Sequence, residues 1–145
     1  MRIMGVVCLC AMLFSLPGCH SRDILVSIKP GLTAYAPPMS LVPGMPLSAE
    51  MAGDHGDLSR YRFHWVAEQG IFNTWDQDTG IVTVMGGDIQ TDEGTVYWSP
   101  APDEAIRAEY IRVHLAIVDS FFSAIVCETT MEIAQDEEGV FSIKD

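Results

Sequence analysis

Positive charge is scarce in this chain: eight Lys and Arg stand against twenty Asp and Glu, for a formal net charge of −12 at pH 7. A field of that sign repels phosphate backbones and anionic headgroups, so nucleic acid is excluded as a partner and anionic lipid is a poor one. Long apolar runs are missing as well. The longest, Ile3 to Leu16, covers 14 residues, whereas crossing a bilayer as a helix takes roughly 20. There is no internal repeat, no low-complexity tract and no stretch with the 3.6-residue period of an amphipathic helix. The chain also lacks G-x-S-x-G, a P-loop and G-x-G-x-x-G, the motifs of acyl transfer, nucleotide-phosphate binding and dinucleotide binding. His20, His55, His64 and His114 have neither the H-x-x-x-H spacing nor the paired cysteines that zinc sites use.

What the N-terminus does have is a three-part layout. Met1-Arg2 supplies one positive charge, Ile3 to Leu16 an apolar block, and Pro17-Gly18 a helix break and a slim segment before Cys19. Leu16-Pro17-Gly18-Cys19 resembles the lipobox of bacterial lipoproteins, departing from it at Pro17, where small or β-branched residues are more usual. The resemblance implies cleavage between Gly18 and Cys19, a diacylglycerol thioether on the Cys19 sulfur and acylation of the new amine. Two or three chains, at about 0.8 kcal/mol per buried methylene, make release negligible. His20 in place of Asp after the cysteine favours, by the same resemblance, the outer membrane. The expected organisation is therefore a signal peptide over 1–18, a lipidated cysteine and short tether over 19–23, and one domain over 24–145.

Removing that signal settles the cysteine count. Cys8 and Cys10 leave with it and Cys19 carries lipid, so Cys127 is alone and no disulfide forms within the domain. In the apolar run Ser123-Ala124-Ile125-Val126-Cys127 it reads as a small buried hydrophobe.

Period-two patterning organises the rest. Ile24 to Lys29 reads as a first strand, stopped by Pro30-Gly31 and continued after a kink over Leu32 to Ala36. The prolines from Pro37 to Pro46 suit a crossing or covering segment that no helix survives, not a central strand. Leu47 to Ala52 is a second strand. Arg60 to Val66 alternates cleanly, with Tyr61, Phe63 and Trp65 on one face, and is the best candidate for the centre of the core. Short strands follow over Ile71 to Trp75, Ile81 to Met85 and Gly94 to Ser99, the last with Val96 and Trp98 in phase. Asp103 to Ala108 has room for one helical turn. Glu109 to Asp119 aligns Ile111, Val113, Leu115 and Ile117 against Tyr110, Arg112 and His114. A hairpin partner over Ala124 to Ala134 puts Ile125, Cys127, Met131 and Ile133 in phase, and Val140 to Lys144 adds a short edge strand. Seven to nine short strands with turn signals about every ten residues predict an all-β, antiparallel sandwich.

From about Ile24 to Ile133 the chain resembles a bacterial immunoglobulin-like domain, closest to the PKD-like branch. The residues that carry the likeness are Gly44, Tyr61-x-x-x-Trp65 with Gly70, Val96-Tyr97-Trp98-Ser99-Pro100, and Ile111-x-Val113-x-Leu115-x-Ile117-x-Asp119. It implies that Trp65 packs between the sheets and that Asp119 ends the penultimate strand. Ile111 stands where that family usually has tyrosine.

Few residues are arranged for chemistry. Asp76-x-Asp78-x-Gly80 resembles the opening of a calcium loop, with Asp88 and Asp92 as further oxygen donors. The twelfth position is Gly87, not Glu, so an acidic hairpin turn is the expected role. Asp54-His55-Gly56-Asp57 reads as a solvated loop. His64 and His114 are expected outward on neighbouring strands, as polar neighbours of Arg62 and Arg112 rather than as a metal pair. Asp119-Ser120 with a distant histidine does not make a triad. The expected function is a membrane-anchored lipoprotein, attached through Cys19 to the cell or outer membrane and facing away from the cytoplasm. Its immunoglobulin-like domain would be a non-catalytic binding or structural module without a cofactor, meeting an envelope or surface protein or a glycan. The alternative is a small metal-dependent or hydrolytic enzyme on the same scaffold, which needs Asp76, Asp78, Asp88 and His64 to converge. An accessory subunit of an envelope machine is a variant of the first.

Overall fold

The computed structural model describes residues 23–106 and 108–144. The signal segment, Cys19 and His20 lie outside the described residues. Among the described residues eleven strands form two antiparallel sheets: β1 (Leu25–Pro30), β2 (Ala34–Tyr35), β3 (Met45–Ala52), β4 (Tyr61–Ala67), β5 (Ile71–Asp76), β6 (Ile81–Gly86), β7 (Asp88–Thr91), β8 (Thr95–Ser99), β9 (Tyr110–Asp119), β10 (Ala124–Gln135) and β11 (Phe141–Ile143). One sheet runs β1-β3-β8-β5-β6 and the other β2-β11-β10-β9-β4-β7. Face to face they make the expected β-sandwich.

Alternation along each strand builds the core. Ile111, Val113, Leu115 and Ile117 of β9 are all fully buried, as are Met45 and Leu47 of β3 and Val96 and Trp98 of β8. Each such side chain contributes roughly 1.5–3 kcal/mol when withdrawn from water. Two aromatic contacts tie layer to layer. Trp65 of β4 meets Phe72 of β5 at 6.0 Å between centroids, and Trp98 of β8 meets Phe141 of β11 edge to face at 5.1 Å. Gly44 lets the chain approach this core: a Cβ there would stand 2.5 Å from the Trp98 carbonyl oxygen.

Several expectations need correction. Past Pro30-Gly31 the chain does not extend β1; β2 crosses to the other sheet and pairs with β11, Tyr35 opposite Phe141. The proline segment does hold one helical turn, a 3-10 turn at Pro37–Met39, because prolines in a first turn have the right φ and need no N–H. Pro46 sits inside β3, an interior strand. Its carbonyl accepts the Gly31 N–H at 2.8 Å, beyond the last β1 pair Pro30↔Leu47. The N and C=O of a strand residue face the same way, so the missing N–H of Pro46 points past the end of β1 and no bond to β8 is lost. Among the described residues of 103–108 there is a turn at Pro102-Asp103 but no helix.

In β10 a bulge between Ile125 and Cys127 breaks the phase, so Ile125 opposes Val118 and is 61% exposed, while Cys127 opposes Ile117 on the inner side. One extra residue flips what precedes it to the opposite face. The tail strand β11 is not an edge: it lies between β10 and β2, and Phe141 is buried.

The two core tryptophans differ in one respect. The Trp98 indole donates to the Gln69 carbonyl at 3.0 Å, whereas the buried Trp65 indole N–H has no acceptor among the described residues. Trp98→Phe is therefore expected to destabilise the fold by about 1 kcal/mol more than Trp65→Phe, and Trp98→Ala to remove about 3–5 kcal/mol, measured by urea denaturation. Equal losses for the two Phe substitutions would contradict this assignment.

Candidate functional site

Three surfaces carry organised chemistry, and the first is a corner at the end of the sandwich where the described chain begins. Asp119, the last residue of β9, is buried. Its Oδ2 accepts Arg60 Nε at 2.6 Å and Nη2 at 2.5 Å, and its Oδ1 accepts the backbone N–H groups of Phe121 at 2.9 Å and Phe122 at 3.2 Å. Ser120 donates its N–H to the Arg60 carbonyl at 3.0 Å and its hydroxyl to the same oxygen. Arg60 closes a 3-10 turn at Leu58–Arg60, which Asp57 caps by accepting Ser59 N–H at 2.9 Å. The guanidinium also lies 5.6 Å from the Phe122 ring centroid.

Tyr61 adds a further tie, its hydroxyl donating to the His55 carbonyl at 2.8 Å. The loop Asp54-His55-Gly56-Asp57 is thus fastened to this corner and is more than a solvated turn. A tyrosine holding the backbone a few residues upstream is a recurrent sandwich device. Here it sits at the start of β4, not in β9, where Ile111 is a core residue.

The outer face of the β4–β9 sheet is a ladder of arginine ion pairs and histidine–carboxylate contacts. Arg62 meets Asp92 at 2.9 Å and His64 meets Asp88 at 2.7 Å; Arg112 lies between Glu68 at 3.5 Å and Glu132 at 3.4 Å; His114 meets Glu128 at 3.3 Å. The Arg and His side chains occupy β4 and β9; the acids come from β7 (Asp88) and the residue after it (Asp92), from the residue after β4 (Glu68) and from β10 (Glu128, Glu132). Exposed pairs of this kind are worth about 0–1 kcal/mol each, so they order the face more than they stabilise it. His64 opposes Ala116 and His114 opposes Val66. The two histidines share the outer face with Arg62 and Arg112, as expected, and each has its own carboxylate on opposite flanks.

The outer face of the other sheet holds a groove of about 630 Å³ lined by Trp75, Asp76, Gln77, Glu93, Thr95 and Tyr97. Trp75 and Tyr97 meet edge to face at 5.7 Å, and Gln77 Nε2 donates to the Tyr97 hydroxyl at 3.4 Å. Beneath them the buried Asn73 amide donates to the carbonyls of Pro43 and Tyr97 and to Ser99 Oγ at 3.0 Å, which ties β5 to β8 under the groove.

The carboxylates singled out for calcium are dispersed. Asp76 Oδ1 caps its own turn, accepting from Asp78 N at 3.0 Å and Thr79 N at 3.2 Å, while Asp88 and Asp92 sit on the opposite sheet with His64 and Arg62. Among the described residues no three His, Cys, Asp or Glu side chains are grouped to hold a metal ion. Cys127 is half-buried, and burial raises its thiol pKa, which disfavours the reactive thiolate. Asp119 and Ser120 do adjoin, but in a structural corner with Arg60.

Sequence reasoning missed both the corner and the groove. Arg60 reads as the first, outward residue of a strand, whereas it closes the 3-10 turn before β4, and nothing local joins it to a carboxylate 59 positions away. Tyr97 is readable as a large residue out of phase with Val96 and Trp98, whereas the spacing in Ile71 to Trp75 does not fix which way Trp75 faces. Comparison with protein-family models, curated proteins and solved structures finds no match for this chain.

The Arg60 hydrogen bonds hold the Asp119 carboxyl below its ordinary value, with the Phe121 and Phe122 amides adding to the effect. A carboxyl depressed in the folded state stabilises the fold above its unfolded pKa and loses that contribution as pH falls through the lower, folded one. Asp119→Asn should lower the thermal midpoint at neutral pH and flatten its fall between about pH 5 and about pH 2. Parallel acid limbs in the two chains would contradict the role assigned to this corner.

Proposed function

We propose that this chain is a lipid-anchored envelope protein, held through Cys19, whose sandwich is a non-catalytic binding module of immunoglobulin-like, PKD-like type. The anchor rests on the order Arg2, apolar block, Leu16-Pro17-Gly18-Cys19, and the two-sheet architecture is compatible with that domain type. The binding role rests on one observation above the others: an outward-facing aromatic groove with a polar rim, Trp75 and Tyr97 beside Gln77, Thr95 and Glu93. Aromatic faces cover the apolar side of a sugar ring or of a partner's side chain, while amide, hydroxyl and carboxylate groups fix orientation. The acidic rim favours a neutral or basic partner, an envelope glycan or surface protein without excess negative charge.

Cells expressing the full chain and fed radiolabelled palmitate should label the parent and not Cys19→Ala, and the parent's mass should fit a chain beginning at an acylated Cys19. An unmodified thiol there would end the anchor reading. Envelope oligosaccharides and proteins retained by the immobilised parent should be lost by Trp75→Ala with Tyr97→Ala, and retention unchanged by both substitutions would move the binding role off this groove.

A further inference from the structure

We propose that the β9–β10 hairpin tip, Phe121-Phe122 with Ile125, rests in the interfacial layer of a zwitterionic bilayer, as a second foothold beside the lipid on Cys19; the inference rests on the anchor reading above. Phe121 is 82% exposed, Phe122 65% and Ile125 61%, with Leu25 at 66% and Leu58 at 50% on the same end of the sandwich. Adjoining exposed aromatic and aliphatic groups on one hairpin tip mark an interaction surface. The tip is presented rigidly: Asp119 caps both phenylalanine amides, Ser120 is tied to Arg60, and Ser123 takes a left-handed φ of 52° to close the turn.

The chain's own course names the occupant. Ile24 lines a shallow depression with Arg60, Tyr61, Asp119 and Val126, so the first described residues enter the fold against the root of this hairpin. Cys19 precedes Asp23 by four residues, and four residues reach at most about 14 Å. A lipid on Cys19 therefore holds this end, and no other, against the membrane. The exposed carboxylates of Asp57, Asp78 and Glu93 lie in turns at the same end, and they select zwitterionic over anionic headgroups. Phenylalanine has the flat apolar ring that suits the region between headgroup and acyl chain.

The test uses the acylated full chain, isotope-labelled at phenylalanine, in nanodiscs of phosphatidylcholine doped with a lipid carrying a nitroxide high on its acyl chain. Phe121 and Phe122 amide signals should lose most of their intensity relative to the undoped disc, while Phe141, at the opposite end of the sandwich, keeps its own. Adding phosphatidylglycerol should weaken the effect. If the chain co-elutes with the discs but Phe121 and Phe122 are broadened no more than Phe141, this contact is overturned and the anchor stands. A chain that does not co-elute with the discs overturns both. In Phe121→Ser/Phe122→Ser, substituted at exposed positions that the core does not need, co-elution should persist while the amide of Ile125, labelled in the same way, loses its broadening.

Discussion

The interaction on which the molecule depends is the meeting of two sheets over large aromatic side chains. Trp98 against Phe141 and Trp65 against Phe72 reach across the layers, and the aliphatic rows of β9, β3 and β8 fill the space between them. The Phe141 contact makes a three-residue strand near the chain's C-terminus part of the core. The same contact explains why β2 leaves the first sheet: Tyr35 is buried and lies 6.5 Å from Phe141, so the N-terminal and C-terminal segments cover each other at one flank.

Strands whose alternation is complete over their own length were legible without any coordinates. Tyr61, Phe63 and Trp65 face inward as their spacing says, and so do Ile111, Val113, Leu115 and Ile117. What failed to show was set by distant partners. The bulge that turns Ile125 outward depends on how β10 lays against β9, the tolerance of Pro46 in an interior strand depends on where β1 stops, and the burial of Phe141 depends on Trp98. None of these is a property of a local window. The candidate surfaces divide the same way. The groove was half visible, since Tyr97 falls opposite Val96 and Trp98 on a strand whose inner side is clear while the strand of Trp75 shows no such phase, whereas the Arg60–Asp119 corner joins residues far apart in sequence and leaves no spacing to read.

Sheet edges show how the chain limits association with its own kind. On β1 the Lys29–Glu50 ion pair and Pro30 mark the edge with charge and a missing donor. At the other end of that sheet β6 carries Ile81, Val82, Val84 and Met85, all exposed and with no charge among them, the composition that ordinarily invites edge-to-edge pairing. Acids flank it in sequence, Asp76 and Asp78 before and Asp88 after. Two copies pairing antiparallel along β6 would bring those carboxylates toward one another, and like charges at close range oppose the pairing.

The acidity thus has a distribution and not merely a sum. On the outer face of the β4–β9 sheet Asp92, Glu68 and Glu132 are partnered by Arg62 and Arg112, and their field is partly cancelled where they stand. In the turns between β3 and β4 and between β5 and β6, Asp57 and Asp76 accept local hydrogen bonds and keep their charge: the Ser59 amide and hydroxyl hold Asp57 below its ordinary range, and the Thr79 hydroxyl, with the Thr79 and Asp78 amides, does the same for Asp76. Negative charge is thus kept on Asp57 and Asp76, in turns at the end of the sandwich where the chain enters. A polyanion approaching that end meets repulsion before it meets the groove or the hairpin tip, while neutral surfaces feel only the apolar groups that project beyond it. The same residues that close the turns also decide which classes of partner can come near.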